Sequence, residues 1–198
     1  SAGKGGGIQL LGTQVGVAGN ARIDASGSAG GGTIRVGGDY KGGNAAIQNA
    51  RATFFGSDAM LVANATDAGN GGRIILWSDE VTRAYGQISA KGGATSGNGG
   101  FVETSSKGYL EANSAPDLRA PSGNGGTWLI DPWDIIIDNS TQFITSNGTN
   151  PITFASDGLN SPTTLPSHLN AGTVSGALSG GTSVIVDTSG SGTQAGNI

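Results

Sequence analysis

The side chains that could do chemistry are few in this chain and lie far apart. Among its 198 residues there is one histidine, His168, and no cysteine, so disulfides and thiolate metal sites are excluded. His168 follows Pro166 closely and has no patterned carboxylate nearby, whereas a catalytic triad or a metal site needs partners of defined type. We therefore predict no catalytic residue, no metal site and no bound cofactor.

Carboxylates are the next candidates, because glycoside cleavage uses a pair of them. Asp24 and Glu111 take the same place in a repeated run of residues, but Val62 and Ser89 take it in the repeats between them. No acidic pair is specified, so a carbohydrate-active enzyme is only the least favoured alternative. The other early aspartates are also spread along the chain: Asp39, Asp58, Asp67 and Asp79.

Polar and aromatic residues suggest two further kinds of surface chemistry. Three Asn-X-Ser/Thr sequons, at Asn64, Asn139 and Asn147, are candidate glycosylation sites. The three tryptophans, Trp77, Trp128 and Trp133, are of a type that stacks on sugars or fills a core. Trp128 lies at a position that we expect to point inward.

Composition excludes several classes of partner. Charged residues make up 12% of the chain, the net charge is −4, and the basic residues are scattered singly. We therefore expect no nucleic-acid binding, which requires a basic patch. No run approaches the roughly 18 apolar residues of a membrane span, so we expect no membrane insertion. The chain starts at Ser1 in mid-pattern without a signal peptide, which suggests a segment of a longer secreted protein.

The elements that must position these side chains follow from a repeat. A Gly-Gly pair returns five times, each time just before an apolar anchor residue, and the anchors are 26, 40, 28 and 26 residues apart: Ile8, Ile34, Ile74, Val102 and Trp128. A chain with 38 glycines and no collagen period is either disordered or tightly wound. Apolar residues kept in phase favour the wound form, a solenoid whose repeats stack on each other.

Two families of short strands are expected in each repeat. The anchors begin alternating runs such as Ile34-Arg35-Val36, which are typical of strands with one buried face. A second family reads apolar, variable, alanine, and comprises residues 23–25, 61–63, 88–90 and 110–112. Gly- and Asn-rich clusters such as 97–100 are expected to supply turns with positive φ. The pattern predicts an all-β parallel β-helix with three sheets, and a two-sheet sandwich is the alternative.

Interruptions of the repeat suggest a domain organisation. We expect coils over residues 1–138, an extra-helical, loop-rich excursion over 139–171, and a return to coils over 172–198, all within one continuous domain. The 40-residue spacing contains an insertion, which we place between Tyr40 and Phe55.

Several longer motifs resemble one protein family. They are residues 23–27, 30–40, 88–93, 97–105 and 126–132, the last reading Gly-Thr-Trp-Leu-Ile-Asp-Pro. Together they resemble the filamentous haemagglutinin-like exoproteins, the large adhesins of two-partner secretion. The resemblance implies a right-handed β-helix that folds outside the cell. It further implies a cognate outer-membrane transporter, engaged by an upstream domain whose Asn-Pro-Asn-Gly or Asn-Pro-Asn-Leu motif is absent from this sequence.

These expectations combine into a functional hypothesis. The chain is expected to be a monomeric shaft segment of a secreted adhesin at the surface of a Gram-negative bacterium, acting in attachment, aggregation or biofilm formation. Its partner would be a host-cell or matrix receptor or a glycan. The stalk of a contact-dependent toxin-delivery exoprotein is the main alternative.

Overall fold

Three parallel β-sheets contain all the strands of the computed structural model, which describes residues 3–139 and 167–189. Sheet A contains, in spatial order, β1 (Gly7–Leu10), β4 (Thr33–Val36), β7 (Arg73–Leu76), β10 (Phe101–Ser106), β12 (Thr127–Pro132) and β15 (Ser183–Val186). Sheet B contains β2 (Gln14–Val17), β5 (Ala52–Phe55), β8 (Val81–Ala84), β11 (Tyr109–Ala112), β14 (Ser167–Asn170) and β13 (Ile135–Asp138). Sheet C contains β3 (Arg22–Asp24), β6 (Met60–Val62) and β9 (Gln87–Ser89). The prediction of an all-β fold with parallel strands is confirmed.

The chain visits the three sheets in a fixed order, and we call one passage through A, B and C a circuit. The first three circuits are β1–β2–β3, β4–β5–β6 and β7–β8–β9. The fourth contains β10 and β11 and reaches sheet C through a single bridge between Ser89 and Asp117. Strands of successive circuits pair in parallel and in register.

The inner face of sheet A carries the predicted stack of anchor residues. Ile8, Ile34, Ile74, Val102 and Trp128 are direct register partners, and Val184 of β15 continues the column. All but the two end members are fully buried. Trp128 points inward as expected and donates its indole N–H to Thr104 Oγ1 at 2.8 Å. Burial of each aliphatic side chain is worth roughly 1.5–3 kcal/mol, so this column is a main source of stability.

The Gly-Gly pairs are required by close backbone contact. A Cβ on Gly31 would lie 2.0 Å from the carbonyl oxygen of Ala63, and one on Gly32 would lie 2.1 Å from that of Gly6. The other pairs meet the same kind of obstacle, except that Gly6, in the first circuit, faces open space. The predicted positive φ occurs at Gly97 but not at Gly99 or Gly100, so turn geometry explains only part of the motif.

The second strand family was assigned wrongly in the fourth circuit. Ala25, Ala63 and Ala90 occupy equivalent places, because their carbonyls accept from the second glycine of the following pair at 2.7–2.8 Å. In the fourth circuit Leu118 takes this place, with Gly126 N donating to its carbonyl at 2.9 Å. Residues 110–112 instead belong to β11 in sheet B. An apolar-X-Ala run does not specify which sheet it joins, and sheet C is reduced to one bridge at this level.

The insertion comprises residues 37–51, which connect β4 to β5, whereas two to four residues make the same connection in the other circuits. The insertion thus begins three residues before the predicted boundary at Tyr40. It ends before the predicted boundary at Phe55, because residues 52–55 form β5. Phe55 is fully buried in the core.

After the fourth circuit, the spatial order of strands in sheet B no longer follows their order in the chain. β13 follows β12 in the chain, yet β14 lies between β13 and β11 in sheet B. β14 leads into the helix α1 (Ala171–Ser179), whose first turn is capped by Asn170, and α1 leads into β15. Residues 167–170, placed in the predicted excursion, are therefore a strand, and a helix precedes the return to sheet A. The remainder of that excursion, 140–166, lies outside the described residues.

Candidate functional site

The insertion 37–51 lies against the outer face of sheet A. That face would otherwise expose Ile75, Glu103 and Leu129, which alternate with the inward residues, yet all three are buried. Trp77 anchors the insertion, because a Cβ on Gly38 or Gly42 would lie 2.6 or 2.5 Å from its indole ring. Glycine at these two positions therefore lets the backbone pack directly on the indole.

Asp39 organises the first turn of the insertion. Its carboxylate accepts hydrogen bonds from Arg35 Nε at 2.8 Å, Tyr40 N at 2.9 Å and Asn44 Nδ2 at 2.8 Å. Burial alone would raise the pKa of Asp39, but these hydrogen bonds outweigh it and lower the pKa to about 2. The carboxylate is thus ionised at any physiological pH and fixes the insertion to β4.

Aromatic contacts hold Tyr40, the residue after Asp39, to β7 and β10. The guanidinium of Arg73 contacts two rings, 4.9 Å from the centroid of Tyr40 and 4.4 Å from that of Phe101. Such cation–π contacts contribute about 0.5–1 kcal/mol each at exposed sites. They attach the insertion to β7 and β10.

Lys41 is the most constrained residue of the insertion. It is the single non-glycine residue with positive φ, +51°, in the described part of the chain. Its Nζ lies 2.6 Å from Asp187 Oδ2 and 3.4 Å from Asp131 Oδ2, and its backbone N–H donates to Glu103 Oε1 at 2.9 Å. One lysine therefore links the insertion to β10, to β12 and to the residue that follows β15.

Glu103 lies beneath this lysine and is fully buried. Its Oε2 has no hydrogen-bond partner among the described residues. Burial, aided by the nearby charge of Asp131, raises the pKa of Glu103 to about 7, although the Lys41 N–H, the Ser105 hydroxyl and the charge of Arg73 act in the opposite direction. The group is therefore half-protonated near neutral pH.

A cavity of about 460 Å³ opens beside the insertion. The insertion contributes four lining residues, which are Lys41, Gly42, Gly43 and Asn49. Sheet A and the turns that follow its strands contribute the other walls, Trp77, Asp79, Lys107 and Trp133 among them. Asp79 Oδ1 accepts from Trp77 Nε1 at 3.3 Å and from Asn49 Nδ2 at 3.1 Å. The cavity thus combines apolar indole surface with polar and charged side chains, and small-molecule sites likewise pair aromatic walls with a few placed polar groups.

A second polar cluster lies on sheet B, where Arg83, Glu111 and His168 are register partners. Arg83 and Glu111 are fully buried, with Arg83 Nε 3.8 Å from Glu111 Oε2. Tyr85 and Tyr109 donate their hydroxyls to the Glu111 carboxylate at 2.8 and 3.2 Å. Burial raises the pKa of Glu111 although these donors oppose it. Buried charge of this kind needs such partners, so we interpret the cluster as internal charge compensation.

His168 does have a carboxylate partner, contrary to expectation. Its Nε2 lies 2.6 Å from Asp138 Oδ1, and the two residues are 30 positions apart in the sequence. The expected equivalence of Asp24 and Glu111 is also wrong, because they lie in β3 and β11, in different sheets. Asp24 instead pairs with Arg22 at 2.6 Å.

The other predicted site residues have varied surroundings. Asn64 is half-buried, and its side-chain oxygen accepts from Ser89 Oγ and Lys91 N, both at 2.8 Å, in a contact between circuits. Asn139 is exposed, and Asn147 lies outside the described residues. Their glycosylation stays a prediction. Of the tryptophans, Trp77 and Trp133 line the cavity, whereas Trp128 belongs to the core.

Sequence reasoning missed the cavity itself. Its one signal was the 40-residue spacing, which revealed an insertion but not the surface against which it packs. Within residues 3–139 and 167–189, no three His, Asp or Glu side chains are grouped so that they could hold a metal ion. No helix in the described part is long and apolar enough to cross a membrane. The sequence matches no protein-family model and no curated protein with which it was compared.

Proposed function

We propose that this chain is a shaft segment of a secreted bacterial surface adhesin, built as a right-handed parallel β-helix with three sheets. The observation that carries the proposal is the in-register parallel stacking of successive circuits, with one apolar column running from Ile8 to Val184. Stacked circuits rise about 4.8 Å each, so added repeats lengthen a rod without changing its cross-section. That is the mechanical requirement of a structure that projects from a surface.

The mode of stabilisation also suits export. Each circuit contacts mainly its neighbours, so folding can proceed one circuit at a time as the chain emerges. The motifs that resemble filamentous haemagglutinin-like exoproteins support the same role. The proposal includes a location at the Gram-negative cell surface, export by a cognate outer-membrane transporter through an upstream domain, and a host-cell or matrix receptor or a glycan as partner.

Attachment by the purified chain tests the proposal directly. Beads coated with the chain are expected to attach to cultured epithelial cells, or to aggregate with each other, more than beads coated with an Ile34→Asp variant, which cannot form the core. Circular dichroism of the two preparations checks that only the parent has β-structure. Equal attachment by both, or none by either, would contradict an adhesive role for this segment.

The toxin-delivery stalk remains distinguishable from the adhesin. A stalk needs the same rod but no adhesion by the rod itself. Attachment of the coated beads would therefore favour the adhesin, whereas a toxin domain downstream in the full-length protein would favour the stalk.

A further inference from the structure

We propose that the cavity beside residues 37–51 binds a neutral saccharide unit. This inference rests on the proposed adhesive role for its biological meaning and assigns that role a ligand class and a place. It is carried by the geometry of the insertion, by the charge balance of the cavity and by the side chains that line it.

The insertion has a strained backbone and specific packing that a plain shaft does not require. Lys41 is held with φ at +51°, a backbone conformation that is unfavourable for a non-glycine residue. Gly38 and Gly42 leave out side chains so that the backbone can pack on Trp77. The other described circuits join sheets A and B with two to four residues and no such packing. Long ordered loops on a rigid scaffold are a common place for binding sites.

Charge in the cavity is already compensated. Lys41 Nζ lies between Asp131 and Asp187, and Asp79 accepts two N–H donors. Lys107 is exposed at the rim, and no ion pair is recorded for it within the described residues. The two lysines that line the cavity face two lining carboxylates, Asp79 and Asp131, and Asp187 adds a third carboxylate beside Lys41. This balance disfavours a phosphate, sulfate or other strongly anionic ligand. It equally leaves no unpaired carboxylate cluster for a cationic ligand.

The lining matches the chemistry of a sugar ring. A pyranose has an apolar C–H face and a rim of hydroxyls, each of which both donates and accepts. The half-buried indole of Trp133 and the ring of Pro132 supply apolar surface, while Asn49, Asp79 and Lys107 supply acceptors and donors. Aromatic rings with polar groups around them give both contact area and orientation. The volume of about 460 Å³ lies within the range of roughly 300–1,000 Å³ that is usual for small-molecule sites.

Binding of free sugars to the full chain tests the inference without any cell. The probes are glucose, galactose, mannose, N-acetylglucosamine and lactose, with N-acetylneuraminic acid and a heparin disaccharide as anionic comparators. Saturation-transfer NMR and titration of tryptophan fluorescence are expected to detect at least one neutral sugar with a millimolar or tighter Kd. Binding of no neutral sugar, or tighter binding of either anionic probe, would overturn the proposal.

Three variants locate the binding. Trp133→Ala is expected to weaken it by about tenfold or more, equivalent to about 1.4 kcal/mol, and Lys107→Ala by about threefold. Lys91→Ala is the control, because the side chain of that lysine is 42% exposed but does not line the cavity. Trp133→Phe, which keeps an apolar ring, guards against a folding defect and is expected to retain most of the affinity. Unchanged affinity in folded Trp133→Ala would overturn the assignment.

The two proposals fail separately. A chain that binds a neutral sugar in this cavity but gives no bead attachment contradicts the adhesive role and leaves the site in place. Beads that attach although no sugar binds contradict the site alone.

Discussion

Two corners of the molecule are built in opposite ways. Where sheet C leads into sheet A, the same Gly-Gly pair returns in successive circuits, because neighbouring backbones come within about 2 Å of any added Cβ. Where sheet A leads into sheet B, the connections range from two residues to the 15 residues 37–51, and they build a cavity. The first corner leaves no room for side chains on most of its paired glycines, whereas the second accommodates a connection of variable length. The corner between sheets C and A therefore restricts the sequence to glycine, whereas the corner between sheets A and B tolerates the longer connection that forms the cavity.

The largest expected effect comes from the core that both corners enclose. Ile34→Asp places a carboxylate in the fully buried apolar column, where an unpaired charge costs many kcal/mol or must be protonated. We expect loss of β-structure by circular dichroism. Arg35→Asp is the control, because Arg35 points outward and is partly exposed. It should fold with a lower thermal midpoint, since its hydrogen bond to Asp39 is lost. Folding of Ile34→Asp with a parent-like spectrum would contradict the buried column.

The second prediction concerns the outer corner after β12. Two residues, 133–134, connect β12 to β13, and two residues, 107–108, connect β10 to β11. A connection of this length would let β13 pair with β11, but in sheet B β13 is separated from β11 by one strand. That strand is β14. In a chain ending at Asn139, β14 is absent, and we expect β13 to move down and pair with β11 directly.

Cysteines at Ala112 and Ile137 report this rearrangement. In the full chain Leu169 lies between these two residues, so their Cα atoms are about 9.6 Å apart, two strand spacings, beyond the reach of a disulfide. In the shortened chain they become direct neighbours, at about 4.8 Å. Mild oxidation should therefore cross-link the Ala112→Cys, Ile137→Cys variant only when the chain ends at Asn139. Equal cross-linking in both lengths would refute the displacement.

The third prediction tests the crowded corner itself. A Cβ on Gly99 would lie 1.9 Å from the carbonyl oxygen of Leu118 and 2.3 Å from the backbone nitrogen of Gly126, so Gly99→Ala must displace backbone. We expect a loss of about 3 kcal/mol in the free energy of unfolding, measured by denaturant titration. Gly6→Ala is the matched control, since nothing lies within 4 Å of its added Cβ, and it should change stability little. Similar losses in both variants would remove close contact as the reason for the motif.

The sequence predicts the repeated inner contacts of this molecule but not its outer ones. Alternation at Ile34 and Val36 predicts the inner columns correctly, because burial repeats in every circuit. The outer contacts could not be predicted, since Lys41 and Asp187 are 146 positions apart and neither belongs to a repeated motif. Likewise, residues 110–112 have the pattern of a strand, but the pattern contains no information on which sheet accepts it. The pairing of β13 with β14 could not be predicted for the same reason, because packing, and not the strand's own pattern, decides which parallel strand lies beside it.

The last prediction concerns Glu103, which lies under the insertion, and it depends on pH. The pKa of Glu103 is about 7 in the folded chain and near 4.5 when unperturbed, so the folded chain binds the proton more tightly. Between these values the free energy of unfolding therefore falls as pH rises. Burial also raises the pKa values of Glu111 and Asp131, which act in the same direction. A comparison with Glu103→Gln cancels their contributions.

Glu103→Gln removes this one titration, so the stability of the variant relative to the parent should improve by about 3 kcal/mol from pH 4 to pH 8. The relative measure is insensitive to any hydrogen bond that the new amide makes or misses, because such a bond contributes equally at both pH values. Glu80→Gln is the control: its carboxylate is exposed beside Arg51, which lowers the pKa of Glu80, so the variant should show no such gain. A pH-independent difference between Glu103→Gln and the parent would mean that Glu103 is not buried by the insertion, and the contrast between the two corners would then rest on the glycines alone.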